Sequence, residues 1–130
     1  MAATEPSVTI SGLPFPPSVN HYWRHVGKRT LISRTGRAYR EHLLHDVRHW
    51  PGLRTITGPI RLEVIVTRPD RRRRDLDNLL KSLLDALDHA GVYEDDSQIQ
   101  DLRISWKWSW QNQQPVIVAG GLCEVRIWRI

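Results

Sequence analysis

A chain of 130 residues is the length of one domain, 1–130, and is too short for two independent cores. At 40% hydrophobic and 25% charged it is not a disordered chain; its single cysteine, Cys123, excludes a disulfide framework, and no apolar run is long enough to span a bilayer. The net charge of +5 divides into a balance of +9 over residues 1–74, −7 over 75–101 and +3 over 102–130.

Met1 to Ser7 lacks the apolar stretch of a secretory signal, so a reducing cytoplasmic location is expected. Val8 to Leu13 is short, β-branched and stopped by Pro14, which predicts a strand. Pro14 to Ser18 is an extended or turning loop. Asn20 to Arg29 reads as a further loop. Its Tyr22, Trp23, Arg24, His25, Lys28 and Arg29 suit a nucleic-acid backbone, although Tyr22 and Trp23 could equally cover one end of the core. Ser33 can cap a helix running to about Trp50, with Tyr39, Leu43, Val47 and Trp50 at helical spacing and Gly36 weakening its first turn. His45 and His49 are four apart on that helix. They lie away from the apolar stripe and fit a solvated face better than a zinc site.

Ile60 to Arg68 alternates like a strand with one buried face. A helix with Leu79, Leu80, Leu83, Leu84, Leu87 and Ala90 on its stripe follows and stops at Gly91. Val92 to Gln98 is an acidic turn. Ile99 to Trp110 predicts a strand with Leu102, Ile104, Trp106, Trp108 and Trp110 on one face. Gln111 to Pro115 turns, and a strand from about Leu122 to Ile130 closes the domain. The expected fold is α+β in the order β-α-β-α-β-β: two helices on a mixed, mostly antiparallel sheet. The βαβ crossover would make Ile60–Arg68 parallel to Ile99–Trp110 if they share a sheet.

The −7 block is hard to reconcile with a plain nucleic-acid-binding surface, because clustered carboxylates repel phosphate; a divalent metal between them would resolve the conflict. Asp75 and Asp77 would project to one side if the connection into the helix is extended, and Asp77 or Asn78 could cap that helix. Asp95-Asp96 lies beyond the far end of the helix and could join them if the loops fold inward. Carboxylates without His or Cys form an oxygen-only site that suits Mg²⁺ or Mn²⁺. The run Arg71, Arg72, Arg73 and Arg74 would hold flanking phosphates, with help from Arg24, Lys28 and Arg29. Lys81, one turn after Asp77, could stabilise charge on a phosphate under attack. Taken singly, each motif also reads as capping, a solvated stretch or a polar turn. The block matches neither an EF-hand loop nor a P-loop.

Pro69 to Asn78, Lys81, Asp85-Ala86-Leu87, Ala90-Gly91 and Asp95-Asp96-Ser97-Gln98 together resemble the RusA family of Holliday junction resolvases. Upstream, Pro16-Pro17-Ser18, Asn20, Tyr22 to His25 and Gly36 to Arg40 continue the resemblance, which spans about residues 8–105. It implies a RusA-like homodimer that binds four-way junctions in DNA and nicks two strands symmetrically with Mg²⁺ or Mn²⁺. It also implies that Asp75, Asp77 and Asp96 are metal ligands, that Lys81 is the essential lysine, and that Asp95 is the acid before the third ligand. Trp106, Trp108 and Trp110 fall outside that pattern. The alternatives are a non-catalytic nucleic-acid-binding module, and a nuclease preferring flaps or other branched DNA.

Overall fold

The structure is a computed structural model and describes residues 5–130; residues 1–4 of the Met1–Ser7 segment lie outside the described residues. In chain order, β1 (Val8–Leu13) leads through the proline loop to α1 (Val19–Tyr22), β2 (Trp23–Val26), β3 (Arg29–Ile32) and α2 (Arg34–Arg48). Then come β4 (Ile60–Thr67), α3 (Asp77–His89), a 3₁₀ turn (Asp96–Gln98), β5 (Ile99–Trp106), β6 (Trp108–Ser109), β7 (Gln114–Pro115) and β8 (Leu122–Arg129). One four-stranded sheet has the order β1-β8-β4-β5. β8 runs antiparallel to both neighbours, whereas β4 and β5 are parallel, as the crossover through α3 requires. Setting aside α1 and the two small hairpins, the order is β-α-β-α-β-β.

The period-two alternation of β4 decides which face is covered. Ile60, Leu62, Val64 and Val66 are fully buried and meet Val125 and Ile127 of β8 and Ile10 and Leu13 of β1 in one core. The helices α2 and α3 close that face with Tyr39, Leu43 and Val47, and with Leu79, Leu83, Ala86 and Leu87. Truncating a fully buried leucine such as Leu83 to alanine costs about 2–5 kcal/mol. The opposite sheet face is polar, with Arg61 paired to Asp101 at 2.9 Å and Glu63 between Arg103 and Arg126.

Four expectations need correction. The stretch Asn20 to Arg29 is not a loop: a single helical turn ends at Tyr22, and a hairpin follows in which Trp23 pairs with Ile32 and Val26 with Arg29. Gly27, at φ 62°, supplies the left-handed turn residue that lets it close. The described residues accordingly hold three α-helices rather than two. Gly36 is a packing requirement rather than a weakness, because a Cβ there would come within 2.4 Å of the Tyr22 carbonyl oxygen. Ser33 caps α2 as expected, its hydroxyl accepting from the Gly36 amide at 2.9 Å.

The start of α3 also differs. Leu76 is already helical in its dihedrals, the Asp75 carbonyl accepts from the Asn78 amide, and neither Asp77 nor Asn78 caps the helix through its side chain. The extended segment that would place Asp75 and Asp77 side by side is therefore interrupted at Leu76. Finally, the strand from Ile99 ends at Trp106. The Lys107 amide still bonds the Val66 carbonyl at 2.8 Å, but its own carbonyl turns to accept from Val116 and the chain leaves as the β6–β7 hairpin. Leu102, Ile104 and Trp106 share the helix-covered face through their register with Leu62, Val64 and Val66. Trp108 and Trp110 instead pack edge to face on each other, and Trp110 is 78% exposed.

Candidate metal centre and nucleic-acid interface

At the C-terminal end of β4 the chain enters the loop that carries the arginine run. Asp70 organises it. Its carboxylate accepts from the Arg72 amide at 2.9 Å and takes both Arg74 Nη groups, at 2.6 and 3.0 Å. These bonds, Arg74 first, hold its carboxyl down to about 2. The four arginines are thus not equivalent: Arg71, Arg72 and Arg73 are exposed, while Arg74 is half-buried and tied into the loop. Arg72, Arg73, Arg74 and Asp75 face Pro17 and Asn20 across a single open groove. Asp75 and Asp77 are both exposed, and Asp77 sits in the first turn of α3, where the helix dipole favours an anion.

Lys81 lies one turn further along α3 and is exposed. It shares a cleft with Asn20 and with Trp23, His25 and Thr30 of the β2–β3 hairpin. That hairpin carries Arg24, Lys28 and Arg29, all exposed, so its basic tip belongs to the structure next to Lys81. The helix bearing Lys81 is anchored from two sides. Asp85 accepts from Arg40 Nη2 at 2.7 Å and from the hydroxyl of Tyr22, joining α1, α2 and α3. Burial and this carboxylate push the Tyr22 hydroxyl well above its ordinary value, so it stays a donor. Ser82 Oγ donates to the Pro17 carbonyl at 2.6 Å and fixes the proline loop on the same helix.

The second acidic group lies at the other end of the unit. Asp95 and Gln98 form a reciprocal cap around the 3₁₀ turn: the Asp95 carboxylate accepts from the Ser97 amide at 3.0 Å, and Gln98 Oε1 accepts from the amides of Glu94 and Asp95. Gln98 Nε2 then donates to the carbonyls of Ile56 and Gly58, which pins the turn beside the entry to β4. The hydrogen bonds from Ser97 hold the Asp95 carboxyl below its ordinary value. Asp88, Asp95 and Asp96 each bring a carboxylate oxygen within 4.8 Å of the others. Burial, then repulsion from Asp95, Asp96 and Asp85, raises Asp88. This is an all-oxygen donor set, and oxygens on opposite sides of Mg²⁺ stand about 4 Å apart, so the residues fit a hard divalent cation.

Within one chain, the structure does not gather Asp75 and Asp77 with Asp96. Asp96 precedes β5, whose first residue pairs with Ile60 at the start of β4, whereas Asp75 follows the end of β4. The 13-residue helix α3 runs between the two groups, a span of about 20 Å. Asp88 was missed because its neighbours in sequence do not mark it. The available signal was its position, since an aspartate in the last turn of a helix opposes the dipole and calls for another reason to be there.

One βαβ unit thus carries an arginine-rich loop and exposed aspartates at one end of its helix and a group of three carboxylates at the other. The family model for endodeoxyribonuclease RusA matches residues 14–119. The crossover junction endodeoxyribonuclease of Enterobacteria phage HK97 is 47% identical over 92 residues, covering 71% of this chain and 77% of that protein. Those of Shigella sonnei (strain Ss046) and Escherichia coli (strain K12) are 44% and 42% identical over the same shares. The chain belongs to the RusA family. No helix among the described residues is long and apolar enough to cross a membrane.

Proposed function

We propose that this chain is a divalent-metal-dependent endodeoxyribonuclease that resolves four-way (Holliday) junctions by paired, symmetric nicks in the cytoplasm. The observation that carries the reading is the set of aspartates flanking α3 beside an arginine-rich loop, in a chain of the RusA family whose relatives are crossover junction endodeoxyribonucleases. Asp75, Asp77 and Asp96 would hold Mg²⁺ or Mn²⁺, with Asp95 and Asp88 as further carboxylates beside Asp96. Bound there, the ion supplies activation of water and neutralisation of charge on the phosphate oxygens. Arg71, Arg72 and Arg73 hold the strand by its phosphates, and Arg24, Lys28 and Arg29 of the hairpin beside Lys81 add further phosphate contacts. Lys81 stabilises the negative charge that develops as the bond from phosphorus to the 3′-oxygen breaks. The products are a 3′-hydroxyl and a 5′-phosphate.

The separation of about 20 Å between the two acidic groups supports a homodimer with shared sites. Two copies related by a twofold axis across α3 would set these helices antiparallel. The Asp75–Asp77 end of one would then lie beside the Asp96 end of the other, giving two equivalent sites for two strands. Leu76, Leu80 and Leu84, four residues apart and only partly buried, supply an apolar row along one flank of α3 for that contact.

The test is nicking of a labelled four-way junction, with duplex and flap controls, with and without Mg²⁺. Asp75→Asn and Asp96→Asn should each reduce cutting by more than about a hundredfold while junction binding survives. Co-refolding the two variants should recover one nick per junction, because the mixed dimer keeps one intact pair of acidic ends. Recovery of no activity would assign both groups to a single chain's site. Nicking by either variant alone would remove that aspartate from the metal centre, and cutting of flaps but not junctions would change the substrate.

A further inference from the structure

Beyond the arginine run, a fifth arginine is built into the Asp75 end of the sheet. Arg68 follows β4, and its guanidinium carbon lies 4.1 Å over the ring of Trp106, the last residue of β5. Trp106 stacks on Phe15 of the proline loop, with centroids 6.3 Å apart and planes 15° from parallel. Arg74 covers Phe15 at 5.7 Å. Three segments distant in sequence therefore meet in one stack, in the order cation, ring, ring, cation. Gly121 makes room for it: a Cβ there would come within 2.7–2.9 Å of Phe15 carbons, and its φ of 71° also favours glycine.

The order of the stack limits what it can do. Trp106 has Phe15 and a guanidinium against it, and so in turn does Phe15, so the rings are poorly placed to stack on a nucleobase. What they do is hold two cations. Those cations differ. The charge of Arg74 is compensated by the bidentate pair with Asp70. Among the described residues Arg68 pairs with no carboxylate, and its buried Nε has no hydrogen-bond partner. Its main chain is fixed as well, the carbonyl accepting from the Val118 amide at 3.0 Å. A guanidinium held rigidly, with its charge uncompensated, at the end of the sheet from which the chain runs to Asp75, is prepared for an anion.

We propose that Arg68, presented by Trp106, contacts a backbone phosphate of the DNA strand that enters the Asp75 end of the site. The inference rests on the junction-cutting reading above and adds a positive group outside the Arg71–Arg74 run. Trp106 is then a positioning residue.

The test is junction binding in Mg²⁺-free buffer across a series of KCl concentrations. Wild type should show a linear fall of log affinity with log salt. Arg68→Ala, and Arg68→Met, which keeps packing against the indole, should weaken binding several-fold at low salt and reduce the slope by about one. Arg68→Lys should restore the slope. Trp106→Leu should weaken binding, and Trp106→Phe, which keeps a ring face, should recover most of it. An unchanged slope and affinity for Arg68→Ala and Arg68→Met, with only the melting temperature lowered, would overturn the inference and leave Arg68 a packing residue. Wild type with no salt-dependent affinity for branched DNA would overturn the functional reading itself, and this inference with it.

Discussion

The two ends of the β4–α3–β5 unit use aspartate in opposite ways. At the end where β4 exits, Asp70 is surrounded by donors and Arg74 holds its carboxyl down to about 2. At the end where β4 enters, burial first, and then crowding by Asp95 and Asp96, raises the Asp88 carboxyl. The protein compensates the first charge by itself and leaves the second group uncompensated. The −7 balance of residues 75–101 is therefore not one acidic surface. Asp85 and Asp101 are paired with Arg40 and Arg61, and most of the rest divides into Asp75 and Asp77 at one end of α3 and Asp88, Asp95 and Asp96 at the other, with Lys81 the single Lys or Arg in the block. The Asp88 group has no base of its own to offset it, whereas at the other end the arginine loop stands beside Asp75 and Asp77.

Lys81 gives the sharpest way to test this division. If it acts on developing charge, Lys81→Ala should lower single-turnover cutting by about a hundredfold or more, with junction affinity changed by no more than about twofold. An affinity defect as large as the rate defect would make it a phosphate clamp and move it to the binding side of the comparison. The next effect separates the two basic surfaces. Replacing Arg71, Arg72 and Arg73 together by alanine should reduce the salt slope by up to about three, because each exposed guanidinium neutralises one phosphate. The triple change of Arg24, Lys28 and Arg29 should reduce it less, because these come from one strand, the turn and the other strand of the hairpin and reach fewer phosphates at once. Equal slopes for the two triple variants would make hairpin and loop one continuous surface.

How far these ends could be read in advance differs between them. The alternation of Ile60 to Thr67 and the leucine stripe of α3 were legible because burial of one face enforces a period, and the parallel crossover followed from the connection. The β2–β3 hairpin was not, since its basic and aromatic residues obscure a strand period and only Gly27 marks the turn. The aspartates could be named, but not their grouping. Whether Asp96 meets Asp75 depends on which end of a parallel pair each occupies, and two parallel strands place an acid before β5 and one after β4 at opposite ends. The stack of Arg68 on Trp106 was hidden for a similar reason. It depends on the register Val66–Trp106 between strands about 40 residues apart, and the tryptophan run read as one face is split by the bend at Lys107.

The smallest expected effect concerns the compensated end and its pH dependence. Asp70 has its carboxyl lowered from an ordinary 3.8 to about 2, by Arg74 first and the Arg72 amide next. A carboxyl lowered on folding contributes stability that is present above its unfolded value, near pH 4, and is lost as the pH falls through its folded value. The pair should therefore stand intact at pH 4 and come apart only towards pH 2. The carboxylate is exposed to solvent, so the global melting temperature is a poor readout. The Arg74 Nε and Arg72 amide resonances are better, because each reports a bond or a neighbour of Asp70 directly. Both should move with a midpoint near pH 2, and Asp70→Asn should abolish the transition. A midpoint near pH 4 would show that the pair does not hold in solution. Arg74 would then be as free as Arg71, Arg72 and Arg73, and the contrast between a self-compensated end and an uncompensated one would lose its first half.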